Sequence, residues 1–337
     1  MFNLKNFFYS GFIFCWASII LYTFSGCQSG DASNSSLKDW MEPNKKLKIL
    51  STTAMINDLV KQIGGEFVDT TVLIKGELDP HSYQLVKGDD EKLSFSDLIF
   101  FNGLGLEHGP SLKEYLKSHQ KAISIGDKLI AEKPFLLLHF KNYADPHIWM
   151  DISMWANTVP YIVEALSQKD PEHAETFRQN GEKLAKLMME AHDQVEKTLQ
   201  EIPEGKRYLV TSHDAFSYFT RAYLADKGED EKTWSKRFAA PEGLAPESQV
   251  SATDIQMIID HLSKYRIHVI FPESNVNRDS IKKIVQAGKQ KGLDIFMSEI
   301  PLYADAMGKA GSDGDTYLKM IQHNAKVIGD NLKKNGG

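Results

Sequence analysis

Thiols are the scarcest chemistry in this chain: its only cysteines, Cys15 and Cys27, both fall within the first 27 residues. If the leader described below is removed and Cys27 carries lipid, the mature chain has no free thiol and no disulfide. That excludes a thiolate metal site and a cysteine nucleophile by counting. Basic clusters are missing too. The 39 basic and 45 acidic residues give a net charge of -6, and no lysine or arginine run stands out to hold a nucleic acid. There is no low-complexity tract and no local metal motif of the H-E-x-x-H kind. What remains is a globular composition, 42% hydrophobic and 25% charged, over 337 residues. Domains usually hold ~100–200 residues, so two lobes are expected.

One apolar run stands apart from the rest. Lys5 is the only charge before Phe7–Phe24, after which come the small residues Ser25 and Gly26 and then Cys27. This reads as an export signal over residues 1–26, with a small-residue cleavage site. The string Phe24-Ser25-Gly26-Cys27 resembles the bacterial lipobox, in which the cysteine becomes the lipidated first residue; Phe24 stands where leucine is usual. The rival reading is an uncleaved anchor, since the run approaches the ~20 residues needed to span a bilayer. Both readings put the rest of the chain outside the cytoplasm. Residues 27–45, rich in Ser, Asp and Asn, read as the lipidated cysteine and a flexible tether.

Beyond the tether the chain alternates strand and helix patterns. Lys48–Thr53, Phe67–Ile74, Asp97–Phe101 and Ala122–Ile125 read as strands, with helix-like stretches at Met55–Gly64 and Ser111–Ser118. Alternation of this kind implies parallel βαβ units. Pro171–Glu201 differs: Leu184, Leu187, Met188, Ala191 and Val195 recur at helical steps, which predicts an amphipathic helix ~45 Å long that bridges two lobes. The alternation then resumes. Arg207–Ser212, His268–Phe271 and Leu293–Met297 read as strands, and Ala215–Ala225, Thr253–Tyr265, Ser280–Lys291 and Asp315–Leu332 as helices. The expected architecture is α/β, with an N-terminal lobe over 46–170, a linking helix over 171–203 and a C-terminal lobe over 204–337. No sequence repeat relates the two lobes.

Four positions carry the chemistry. His81 in Asp79-Pro80-His81, His147 in Asp145-Pro146-His147, His213 in Ser212-His213-Asp214, and Asp305 each follow a strand pattern or lie in a loop. In open α/β sheets, ligands bind beyond the carboxyl ends of the strands, so these side chains can meet in a cleft between lobes. Neutral imidazole suits Zn, Fe and Mn, and a carboxylate adds negative charge. Each proline holds the preceding aspartate extended and stiffens the histidine loop. Asp79, Asp145 and Asp214 are expected to orient the three rings. Against this, the chain has eleven histidines, none of the four positions is near another in sequence, and surface or packing roles are the common fate of a histidine. Glu107-His108 and His139 read as surface or packing residues, Trp149, Trp155 and Tyr83 as core, and the acidic segment Gly228–Glu231 as a solvated loop.

The same residues carry a family resemblance. Asp79-Pro-His-Ser-Tyr83, Asp145-Pro-His-Ile-Trp149, Leu209–Phe216 with Tyr218-Phe219, Pro241-Glu-Gly-Leu244 and the Leu302–Met307 loop resemble the metal-binding lipoproteins of bacterial ABC importers. These are the TroA-like, cluster A-I solute-binding proteins. Asn102–His108 and Val86–Asp89 look closest to chlamydial members. The resemblance spans roughly Lys46 to Lys333. It implies two α/β lobes, each a parallel-stranded βα sandwich, joined by one rigid helix. It also implies one metal ion in the interlobe cleft, held by His81, His147, His213 and Asp305. The implied cargo is Mn, Fe or Zn; members with glutamate at the third position look manganese-adapted, and here that position is His213. Gln84 stands where many members have glutamate, and the histidine-rich loop of dedicated zinc importers is missing, since Ala131–Tyr143 holds only His139. The implied function is extracytoplasmic capture of a divalent transition metal by a lipid-anchored monomer, which delivers it to an ABC permease and its ATPase without catalysis. A metal-dependent hydrolase, with Glu107 or Glu273 as base, and a surface adhesin are the alternatives.

Overall fold

The computed structural model describes residues 37–245 and 250–334. The expected leader, Cys27 and most of the tether lie outside the described residues. The chain divides into Met1–Asp39 and Trp40–Gly337, and everything below concerns the second unit.

Its first half is built on four parallel strands: β1 (Leu47–Ser51), β2 (Val68–Val72), β3 (Leu98–Phe101) and β4 (Ala122–Ser124), in the order β2-β1-β3-β4. Helices α1 (Ala54–Gly64), α2 (Asp89–Phe95), α3 (Pro110–Ser118) and α4 (Ile125–Glu132) connect and cover them. Parallel sheets need cover on both faces, and the residues of β1 show it. Ile49 joins the main core, while its neighbour Leu50 packs on the opposite side with Leu73, Ile99 and Leu112. The turn after β3 requires glycine at position 103, where φ is +76° and a Cβ would lie 1.9 Å from Ser124 Oγ.

A short hairpin, β5 (His139–Phe140) with β6 (Tyr143–Ala144), leads to α5 (Ile152–Ala156), α6 (Val159–Lys169) and the long helix α7 (Ala174–Gln200). Pro171–His173 forms a tight 3-10 turn ahead of α7, so the long helix starts three residues after Pro171. Its buried residues are Phe177, Gly181, Leu184, Met188, Ala191, Val195 and Leu199. These steps of three and four residues trace one stripe along ~40 Å of helix. The stripe packs on α1, α5 and α6 from the first half and on the closing helix, Tyr317–Lys334, from the second. Gly181 lets α6 approach, since a Cβ there would sit 2.5 Å from Val163 Cγ2.

The second half repeats the first. β7 (Leu209–Val210) pairs with β8 (Phe238–Ala239), and β9 (Val269–Ile270) pairs with β10 (Phe296–Met297), all parallel. The Phe271 N–H donates to the Val210 carbonyl at 2.8 Å and joins the two ladders, so the strand order is again second-first-third-fourth. Helices α8 (Ala252–Tyr265), α9 (Asp279–Gln290) and α10 (Tyr317–Lys334) complete it. The symmetry is one of topology, which explains why no sequence repeat betrays it. These strands are only two residues long, far shorter than the apolar runs suggested, because the chain leaves the ladder early to form loops. The expected helix over Ala215–Ala225 shrinks to Ser217–Phe219 plus a π-helical turn at Thr220–Leu224. The Gly228–Glu231 segment is more than a solvated loop. Glu229 pairs with Arg237 Nε at 2.9 Å, and the Asp230 side chain caps the short helix Glu231–Trp234.

The two halves share one hydrophobic core, which runs from Ile49 through Trp149, Leu184 and Phe216 to Ile328. Buried hydrogen bonds tie them further. Tyr218 Oη accepts from the Leu138 N–H and donates to the Asp145 carbonyl, both at 3.0 Å. Trp149 Nε1 donates to the Ala304 carbonyl at 3.0 Å, and Tyr317 Oη donates to the Trp149 carbonyl at 2.6 Å. Replacing Tyr218 with Phe strands two buried backbone groups, each costing about 1–3 kcal/mol. Thermal unfolding of Tyr218→Phe should show a midpoint lowered by several degrees; an unchanged midpoint would mean these bonds do not hold the halves together.

Candidate metal centre

All four singled-out side chains lie together at the carboxyl ends of the two sheets. His81 lies in the loop after β2, and His147 follows the β5–β6 hairpin. His213 comes three residues after β7, and Asp305 lies in the loop after β10. One donor atom from each lies within 4.8 Å of the others, and all four residues are buried. His81 Nε2 and His147 Nε2 are 3.3 Å apart. Asp305 Oδ1 lies 3.5 Å from His147 Nε2, and Asp305 Oδ2 lies 3.1 Å from His213 Nε2 and 3.7 Å from His81 Nε2.

Local chemistry builds each loop. The Asp79 carboxylate accepts the His81 N–H at 2.9 Å and the Ser82 hydroxyl at 2.6 Å, so it folds the turn and leaves the ring alone. Asp145 does both jobs: Oδ1 accepts the His147 N–H at 3.0 Å and faces ring atom Nδ1 at 2.8 Å. The third ring breaks the expected pattern. Asp214 binds the Ser217 hydroxyl at 3.0 Å, and the carboxylate against His213 Nδ1 is Glu273. Glu273 Oε1 also accepts the Ser212 and His213 N–H groups, both at 2.9 Å. It therefore stitches the loop after β9 to the loop after β7, a contact between residues 60 positions apart. Asp305 is placed by Asn324 of α10, whose side chain bonds the N–H and carbonyl of Tyr303, and by Trp149 on the carbonyl of Ala304.

The Asp305 side chain is fully buried, yet neither oxygen receives a hydrogen bond. His213 likewise has no hydrogen bond of acceptable geometry at either ring nitrogen; its contacts to Glu273 and Asp305 are ion pairs. Burial alone would strip a proton from His213, but the Glu273 and Asp305 carboxylates outweigh it and push its pKa well above the ordinary histidine value. His81 goes the other way, because burial dominates and the neighbouring rings add to it. Burial raises the Asp305 pKa less than the three rings, His213 first, lower it, so its carboxyl is held far below the usual range. Asp214 is pushed up to about 6 by burial and by Asp145. A cavity of about 840 Å³ reaches Asp145 and Asp214 but none of the four donors.

The two candidate bases are both occupied. Glu107 Oε1 accepts the Thr52 hydroxyl at 2.7 Å and the Asn102 N–H at 2.9 Å, while Oε2 accepts the Gly103 N–H at 3.1 Å. Glu273 is taken up as described. The role of Glu273 escaped the sequence reading because nothing local links it to His213; its place after an apolar strand was the only clue. Trp149 and Trp155 are fully buried core residues, His139 is exposed, and the His108 ring lies 5.6 Å from that of His81.

Two parallel α/β halves joined by one long helix, with imidazoles and a carboxylate gathered between them, define a two-lobed solute-binding protein. The chain matches the family described as "Zinc-uptake complex component A periplasmic" over residues 49–331, and it belongs to that family. It is 40% identical over 321 residues to the metal-binding protein YtgA of Chlamydia pneumoniae, covering 95% of this chain and 93% of that one. It is 30% identical over 320 residues to the manganese-binding lipoprotein MntA of Bacillus subtilis, covering 94% and 98%. The fold superposes on the crystal structure of Fe(III)-bound YtgA from Chlamydia trachomatis with a TM-score of 0.80 at 39% identity, over 85% of this chain and 98% of that one.

The raised His213 pKa has a measurable consequence. Ligation needs a neutral ring, so the His213 proton must leave when an ion binds. Metal binding through His213 should therefore release protons and should strengthen as pH rises toward the His213 pKa. Titration calorimetry in buffers of differing ionisation heat reads this directly; binding heats independent of the buffer would contradict it. In the metal-free protein the same ion pair adds stability that is complete below the unfolded-state pKa, about 6.5, and fades as pH climbs through the folded value.

Proposed function

We propose that this chain captures a single transition-metal ion outside the cytoplasm, through His81, His147, His213 and Asp305, and hands it to an ABC permease driven by a cytoplasmic ATPase. One observation carries the reading: a fully buried carboxylate with no hydrogen-bond donor faces three imidazoles. A buried carboxylate faced only by imidazoles is costly, and a bound cation offsets that cost. Three nitrogen donors and one oxygen donor suit Mn, Fe or Zn, and raw affinity favours Zn(II) over Mn(II) and Fe(II). Relatives are named for zinc uptake, for manganese and for Fe(III).

The lobes run over 46–170 and 204–337, with 171–203 as the link. Their shared core and the α7 stripe limit closure to a small movement, so release depends on the permease disturbing one set of ligands. Among the described residues no helix is long and apolar enough to cross a membrane. In this reading residues 1–26 are removed, lipid on Cys27 attaches the chain to the membrane, and the carrier works as a monomer in the periplasm or on the outer face of the cell membrane. A carrier fits better than a hydrolase, because Glu107 is held by three donors of the protein and Glu273 stands behind His213.

Replacing His81, His147 and His213 together with alanine should reduce metal content from about one ion per chain to none detectable by elemental analysis. The metal-induced thermal stabilisation, about 2.7 kcal/mol at a hundredfold excess over Kd, should vanish with it. Retained metal in the triple variant would refute the ligand assignment, and turnover of ester, peptide or phosphate substrates by metal-loaded wild type would refute the carrier reading.

A further inference from the structure

The donors sit inside a second layer of acid. Five carboxylates, those of Asp145, Asp214, Glu242, Glu273 and Asp305, are 9% exposed or less. Asp145 and Glu273 touch the outer nitrogens of His147 and His213. Asp214 and Glu242 lie one step further out, near enough for each to interact with His213, and for Glu242 also to interact with Glu273. Among the described residues no lysine or arginine forms an ion pair with any of the five; the ion pairs that Asp145, Glu273 and Asp305 make are with histidine alone. The buried lysine and arginine side chains lie elsewhere and meet other carboxylates. Lys48 meets Asp69 at 2.8 Å, and Arg237 meets Glu229 and Asp226 at 2.9 and 3.0 Å.

Neutral imidazoles add no charge. The ligand Asp305 and the two ring-backing carboxylates alone therefore place three negative charges around the ion. A divalent ion leaves that set one charge short of neutral, and a trivalent ion closes it. In a site from which water is excluded, each uncompensated charge weighs far more than it does in solution.

We propose that the carboxylates standing behind the donors, Glu273 foremost, select cargo by valence, matching the site to a trivalent ion over a divalent one of the same electron count. This rests on the cluster being the metal site. Glu273 is thus a specificity-determining residue that acts through His213 and never touches the ion. Glu242, whose carboxylate bonds the Ser280 hydroxyl at 3.0 Å and contacts no ligand ring, contributes charge without positioning.

Gallium(III), supplied as citrate, and zinc(II) test this, because they share a filled d shell and differ in charge. Affinities of wild type, Glu273→Gln and Glu242→Gln would be measured by competition, with melting curves of the metal-free proteins as the check on folding. Loss of a ring-backing carboxylate typically weakens metal binding about 10- to 100-fold. The valence argument requires the gallium loss in Glu273→Gln to exceed the zinc loss by at least about tenfold. Glu242→Gln should show a smaller difference of the same sign, with zinc binding nearly unchanged. Equal losses for the two ions, or no loss, would overturn valence selection while leaving the carrier reading intact. Wild type that binds neither ion would instead overturn the carrier reading and this inference with it.

Discussion

The structure turns on one buried carboxylate. Asp305 holds both oxygens inside the protein with no hydrogen-bond donor on either, and three imidazoles face it. An isolated carboxylate at that depth would cost several kcal/mol, and Asp305 and Glu273 together raise the affinity of His213 for a proton. A cation and that proton compete for one place. The fold serves this competition by delivering the four side chains from four separate loops to a region where water cannot settle the charge instead.

Delivery depends on how firmly the halves are joined. Hinged binding proteins tend to have separate cores. Here Ile49, Leu184 and Ile328 belong to one, and the buried stripe of α7 presses on helices from both halves. Tyr218, Trp149 and Tyr317 add hydrogen bonds across the boundary, two of them to the backbone flanking ligands: Tyr218 holds the carbonyl of Asp145, and Trp149 that of Ala304. A carrier built this way is already shaped for its ion before the ion arrives, which lowers the ordering cost of binding. It also makes release the harder step, because little of the structure is free to move.

Much of this was legible in the residues. The apolar stripe of α7 marked a single long helix, and only the 3-10 turn after Pro171 shifted its start. Strands β1 and β3 announced themselves as short runs with buried apolar residues, and β2, at the sheet edge, by its β-branched Val68, Thr70, Thr71 and Val72. The second sheet is shorter than the runs Arg207–Ser212, His268–Phe271 and Leu293–Met297 suggest, since each of its ladders spans two residues. Helices α2, α4, α5 and α6 went unread, because Asp89–Phe95 and Ile152–Ala156 span too few turns to show a period.

The amino-acid sequence by itself determined which side chains can bind and how their loops turn. The two Asp-Pro-His triplets set local geometry within three residues, where Asp79 and Asp145 reach back to the histidine N–H groups. Only the tertiary structure decided which rings have a carboxylate behind them and which carboxylate it is. Asp145 was in reach of its own histidine, but Asp79 and Asp214 turn to Ser82 and Ser217, and Glu273 takes the place beside His213. The reason is the adjacency of β7 and β9 in the sheet, a neighbourhood created by strand order that spacing along the chain does not encode.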